Sequence, residues 1–372
     1  MTLPAGKKPI GRRELVRGLA ALSVALAGGA MGACGTSARP PGAPRSPATP
    51  PSRVAAAAAR AFGRPIELHS WFDLPSDDPR SRELSGIAWD EATRTLWAVQ
   101  DETANIVSLV PDDRFHRWGF GPTITLAMSF PLDLEGIVVL DDGFIVASEK
   151  GPRIIEVDRK GKLRKDLALP AHFAKARDNK SLESLTMSPD GQYLFTTSEE
   201  ALSCDGDRTT AALGSRLRIL RIARGATEQY EEHAYATDPM PHASGDYGVA
   251  DLAAASADEL FVLERGWTRG TGNTARIYRV SLRDPGTSCL ANPALGADAR
   301  VLEKKLVVDL LTLPTKGLPA AKQAQESPLL DNYEGMTFGP RLPDGRATIL
   351  LISDDNGRSD QVARILVLAM AS

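Results

Sequence analysis

Asp133-Leu134-Glu135-Gly136-Ile137-Val138-Val139-Leu140-Asp141-Asp142-Gly143-Phe144-Ile145-Val146-Ala147-Ser148-Glu149 is the stretch from which the fold can be read. Two apolar runs flank an Asp-Asp-Gly turn, the pattern of a β-hairpin. A hairpin brings the start of its first strand beside the end of its second. Glu135 and Glu149 should therefore meet at one edge.

The same design recurs. Leu84-Ser85-Gly86-Ile87 leads to Leu96-Trp97-Ala98-Val99 and ends at Asp101-Glu102. Leu182-Glu183-Ser184-Leu185 turns at Pro189-Asp190-Gly191 and ends at Glu199-Glu200. Val249-Ala250-Asp251-Leu252 turns near Asp258 and ends at Glu264, and Tyr333-Glu334-Gly335-Met336 turns near Asp344-Gly345 and ends at Asp354-Asp355. Five diverged copies at blade-like spacing predict a single all-β domain, a β-propeller. Six blades are expected, the sixth too diverged to see. A third strand follows most copies and carries an arginine at or near its start: Arg153, Arg216, Arg276 and Arg364. In an up-and-down meander these arginines belong near the face that carries the carboxylates. The last strand, 364–370, is expected to close the ring with an N-terminal strand.

Working outward, residues 1–34 read as an export signal. Lys7, Lys8, Arg12, Arg13 and Arg17 form a basic region before the short apolar run Leu19 to Met31, which is too short for an ordinary membrane span. Gly11-Arg12-Arg13-Glu14-Leu15-Val16-Arg17 resembles a twin-arginine signal, and Met31-Gly32-Ala33-Cys34 resembles a lipobox, making Cys34 the expected lipidation site. Residues 35–60, rich in Pro, Ala, Ser and Gly, read as a tether that cannot bury a core. The protein is thus expected to be exported and membrane-anchored, periplasmic or at the cell surface, with its folded domain at 61–372. Short helices are expected at Ala171 to Ala176 and Ala320 to Gln325. Of the three cysteines, Cys204 and Cys289 remain after Cys34, and the even remainder in an exported chain predicts one disulfide.

The formal net charge is −3, and removing a leader with five cations and one anion leaves the mature chain near −7. No basic stripe exists for nucleic acid. A monomer acting on a small anionic or phosphorylated substrate fits better. The chain lacks a Gly-x-Ser-x-Gly elbow, and its five histidines show no ligand spacing.

Taken together, Leu84-Ser85-Gly86-Ile87, Asp133-Leu134-Glu135-Gly136-Ile137, Lys180-Ser181-Leu182-Glu183-Ser184-Leu185, Asn332-Tyr333-Glu334-Gly335-Met336 and Ser353-Asp354-Asp355-Asn356 resemble the phytase-like family, the "esterase-like activity of phytase" proteins. The resemblance spans roughly residues 80–370. It implies a propeller-like fold, an extracytoplasmic location, acidic residues marking the site, and phosphoester or ester hydrolysis. The sequence departs from the repeat at Ser85 and Ala250, which stand where Glu135, Glu183 and Glu334 stand.

Packed carboxylates resist ionisation unless a cation sits among them, and hard oxygen donors suit Ca²⁺ first and Mg²⁺ next. Glu135, Glu183 and Glu334 are the candidate catalytic carboxylates. Glu149, Glu199, Glu264 and Asp355 are the candidate metal ligands, and Arg153, Arg216, Arg276 and Arg364 the candidate substrate-binding residues. Two other readings share these residues. In one, the carboxylates and arginines only latch blade to blade in a non-catalytic binding protein, Glu149 with Arg153 being the obvious pair. In the other, a lactonase-type metal hydrolase uses the carboxylates without the arginines.

Overall fold

The computed structural model describes residues 65–225 and 229–370. The leader, its Cys34 and the tether lie outside the described residues, and among the described residues no helix is long and apolar enough to cross a membrane. The strands form five four-stranded antiparallel sheets. The first strand, β1 (Ile66–Asp73), joins the last sheet. Blade one is β2 (Leu84–Asp90), β3 (Thr95–Gln100), β4 (Asn105–Pro111) and β5 (Trp118–Thr125). Blade two is β6 (Leu134–Leu140), β7 (Gly143–Ser148), β8 (Arg153–Asp158) and β9 (Leu163–Leu167). Blade three is β10 (Thr186–Met187), β11 (Tyr193–Thr196), β12 (Arg216–Ala223) and β13 (Gln229–Ala236). Blade four is β14 (Asp246–Ser256), β15 (Glu259–Thr268), β16 (Gly272–Ser281) and β17 (Lys304–Asp309). Blade five is β18 (Asn332–Gly339), β19 (Thr348–Asp354), β20 (Arg364–Met370) and then β1.

The ring therefore has five blades, not six. Each visible repeat is one blade, and the N-terminal strand completes the last sheet instead of starting another. The long segment between β16 and β18 supplies one strand and loops, not a blade. The innermost strands neighbour one another in the order β18, β2, β6, β10, β14 and back to β18.

Pleat alternation explains why the strands read as unbroken apolar runs. In β7, Phe144 and Val146 pack toward blade one with Trp97, Val99 and Ile106. Their neighbours Ile145 and Ala147 pack toward blade three with Leu194 and Leu220. Every seam is filled this way. Blades three and four share Phe195, Leu217, Leu252 and Val262. Blades four and five share Phe261, Leu263, Leu351 and Leu366, and blades five and one share Ile87, Val107, Leu350 and Ile365.

The expected disulfide is not formed: Cys204 and Cys289 are free thiols. Cys204 packs against the seam of blades two and three, whereas Cys289 is buried in a separate cluster with Ala234 and Leu295. Residues Ala171–Lys175 form a short 3-10 helix, and 320–325 form none.

Candidate active site

Each blade carries the same irregularity. Pairing of the two innermost strands slips by one residue between Leu84 and Ile87, between Leu134 and Gly136, between Val249 and Asp251, and between Tyr333 and Gly335. In blade three the bridge Leu182↔Ser198 and the pair Thr186↔Phe195 differ by the same single step. A β-bulge leaves an extra residue unpaired and re-aims its side chain. The extra residues include Glu135, Ala250 and Glu334, and Ser85 and Glu183 lie within the slips of their blades. The recurring glutamate position of the sequence is thus a bulge position. Glycine follows the bulge where inner strands crowd: a Cβ on Gly86 would lie 2.3 Å from Glu135 O, and one on Gly136 2.5 Å from Leu185 N.

This geometry gathers carboxylates at the axis. Asp101, Asp133 and Glu135 each offer an oxygen, all within 4.8 Å of one another. Ser85 Oγ donates to Glu135 Oε2 at 2.6 Å, so the hydroxyl in blade one supports the carboxylate of blade two. Burial, with repulsion from Glu334, raises Glu135 well above the usual carboxylate range, although Ser85 opposes the rise. Burial pushes Asp101 up to about 7, partly offset by the Glu102 N–H, with Glu334, Glu83 and Asp133 adding repulsion. Lys150 Nζ stands 3.0 Å from Asp133 Oδ2 on a half-exposed side chain.

The opposite side of the axis is balanced by cations. Lys180 Nζ donates to Glu199 Oε2 at 2.7 Å. Arg265 Nη2 donates to Glu334 Oε1 at 2.7 Å and lies 4.0 Å from Glu199 Oε1. Burial would raise Glu199, but Arg265 and Lys180 outweigh it and hold Glu199 below its ordinary value. Glu183, hydrogen-bonded to Glu199, is raised well above its ordinary value by burial and by Glu135 and Glu199. The pair thus favours the proton on Glu183 and the charge on Glu199.

Other candidates from the sequence serve elsewhere. Glu149 Oε1 accepts from Ser181 N at 2.7 Å across the blade two–three seam, and burial pushes it to about 7. Asp355 accepts from Glu83 N and Gly357 N. Glu264 is fully buried, taking hydrogen bonds from Tyr235, Tyr247 and Lys304. None of the third-strand arginines pairs with an axial carboxylate among the described residues. Arg153 stands 3.4 Å from Asp166 and over the Phe130 ring, so the Glu149–Arg153 pair does not form. Arg216 donates to Ala297 O, Arg276 to Asp309, and Arg364 to Asp73 and Pro328 O. Third strands lie further from the axis than the strand ends that carry the site.

Sequence reasoning passed over Asp101, Asp133, Lys180 and Arg265 as site residues. Asp101 follows its second strand just as Glu149 and Glu199 follow theirs, so aligning the repeats would have found it. Arg265 adjoins Glu264, and pleat parity turns the two side chains to opposite faces.

A family model described as "Phytase-like: Esterase-like activity of phytase" matches residues 79–357. No curated protein matches the chain. Similar solved structures include a streptogramin B lyase at 11% identity, covering 84% of this chain and 99% of that one with a TM-score of 0.34. A luciferin-regenerating enzyme matches at 12% identity, covering 83% of this chain and 96% of that one with a TM-score of 0.38. A protein from Lactobacillus plantarum matches at 15% identity over 78% of this chain and 74% of that one, with a TM-score of 0.34.

Proposed function

The chain belongs to the phytase-like family, and from that premise we propose that its axial mouth hydrolyses phosphoesters or esters with the help of a divalent cation. The observation that carries this is the convergence of Asp101, Asp133 and Glu135 within 4.8 Å. The donor set fits a hard cation. All three donors are carboxylates; burial raises Asp101 and Glu135, repulsion from neighbouring carboxylates adds to it, and a cation would offset both. Asp101, Asp133 and Glu135 would hold Ca²⁺ or Mg²⁺. Bound there, such an ion supplies Lewis acidity toward a substrate oxygen and acidifies a water.

The protein's own groups supply the proton chemistry. Burial, repulsion from Glu135 and the hydrogen bond to Glu199 raise Glu183 well above its ordinary value and favour its protonated form. In this reading it gives that proton to a leaving oxygen. Lys180 and Arg265 keep Glu199 ionised, which fixes where the proton sits. Glu149, at about 7, can exchange a proton near neutrality. In this proposal the activity lies outside the cytoplasm, on a tether anchored through Cys34.

The non-catalytic reading draws on a separate observation: Glu264, Asp355 and the four third-strand arginines all have local structural partners. One experiment separates the two. Calcium titration of the domain from residue 61 is paired with a screen of phosphoester, carboxylic ester and lactone substrates. Glu135→Gln should abolish cation binding and turnover while the domain stays folded. A wild-type domain that binds no divalent cation and turns over none of these substrates would overturn the hydrolase reading.

A further inference from the structure

Arg218 and Arg265 each stand between two carboxylates, and they use their donors differently. Arg218 is fully buried and saturated. Its Nε and Nη2 meet Asp205 at 2.7 Å each, its Nη1 meets Glu232 at 3.0 Å, and Cys289 O and Asn292 O take further bonds. A structural arginine pairs its donors in this way. Arg265 does not. Its side chain is only 12% exposed, yet its single hydrogen bond among the described residues is Nη2 to Glu334. Its Nε is buried without a partner, and Nη1 has none either. Its own blade offers no acceptor side chain, since its register partners on the flanking strands are Gly248 and Ala275.

A nearly buried guanidinium with open N–H groups is incomplete without an acceptor, and a planar fork fits phosphoryl or carboxylate oxygens bidentately. Beside it, Lys180 spends one donor on Glu199 and keeps the rest of its ammonium open. We propose that Arg265 is the anion-binding residue of the axial mouth. Its terminal Nη1 and Nη2 N–H groups take two oxygens of a substrate's phosphate, with Glu334 positioning the fork and Lys180 adding a second cation. The substrate is then an anionic phosphoester rather than a neutral ester or lactone. This inference rests on the hydrolase reading of the same mouth.

The test uses inorganic phosphate as the probe, titrated calorimetrically into the domain from residue 61 with and without Ca²⁺. Arg265→Gln should weaken phosphate binding at least ~10-fold, as expected for loss of charge-assisted hydrogen bonds. Arg265→Lys keeps the charge beside Glu334 but lacks the fork, and should weaken it about threefold or more. Calcium affinity should stay within about twofold of wild type in Arg265→Lys, which keeps the charge beside Glu334 and touches none of the three oxygen donors. Added guanidinium ion should restore part of the phosphate binding of Arg265→Ala. Should Arg265→Gln fail to fold, Arg265→Lys alone decides. Phosphate binding that is absent in wild type, or unchanged in Arg265→Lys, overturns the proposal. Calcium binding without phosphate binding refutes the role of Arg265 and leaves the cation site standing. Arg265-dependent phosphate binding without calcium binding supports that role and removes the cation from the hydrolase reading.

Discussion

Cation binding at the axial mouth should expel protons, and the structure sets how many. Asp101 sits at about 7 and Glu135 well above its ordinary range, both in the metal-free state. At pH 7 Asp101 is therefore about half protonated, and the upward shift of Glu135 favours its protonated form as well. A cation coordinates only the deprotonated oxygens, so binding should release about half a proton from Asp101 at pH 7, with Glu135 adding to the release. For Asp101 alone, the ionised fraction falls from about nine tenths at pH 8 to about one tenth at pH 6, a tenfold loss of apparent affinity. Calorimetric titration of Ca²⁺ in buffers of different ionisation enthalpy measures the proton count directly. Asp101→Asn should reduce the release by roughly half a proton at pH 7. An affinity that is flat from pH 6 to 8, with no proton released, would show that the cation does not displace protons from these carboxylates.

Three further outcomes are expected. Metal-free stability should fall as pH rises. Asp101 and Glu149 have folded values near 7, above their ordinary 3.8 and 4.5, so the unfolded chain sheds protons that the folded chain keeps. Their contribution is complete below about pH 4 and gone above about pH 7. Melting temperature should therefore decline from pH 5 to 8, and saturating Ca²⁺ should flatten the decline. Arg218→Ala strips the only cation, among the described residues, from two fully buried carboxylates, Asp205 and Glu232, apart from His172 beside Glu232. It should cost ~3–5 kcal/mol and lower the melting temperature by some ~6–10 °C, while phosphate binding in the surviving fold is retained. Asp251 accepts Leu252 N on one oxygen and Met336 N on the other, tying blade four to blade five. Asp251→Asn keeps only one acceptor and should cost ~1–3 kcal/mol in denaturant unfolding.

What the sequence alone determined about this protein was the repeat. Alternation with Asp-Gly turns gave the hairpins, and the recurring glutamate placed Glu135, Glu183 and Glu334 at equivalent positions. That works because strand pairing and turn chemistry are local. The closure between an N-terminal strand and 364–370 was also legible, since an unpaired edge demands a partner. Three things were decided only by tertiary structure. Blade number depends on how the ring closes, and the five visible repeats are already enough to close it. The disulfide depended on whether two distant loops meet, and Cys204 and Cys289 pack in different clusters. The site's cations depended on side-chain direction. Arg153, Arg216, Arg276 and Arg364 share a strand position, but it lies too far from the axis to pair there. Arg265, one residue from Glu264, is turned by the pleat to Glu334 on a neighbouring blade. Local pattern fixes which residues repeat. Which of them converge is set by the closed ring, because only it brings five separate bulges to one axis.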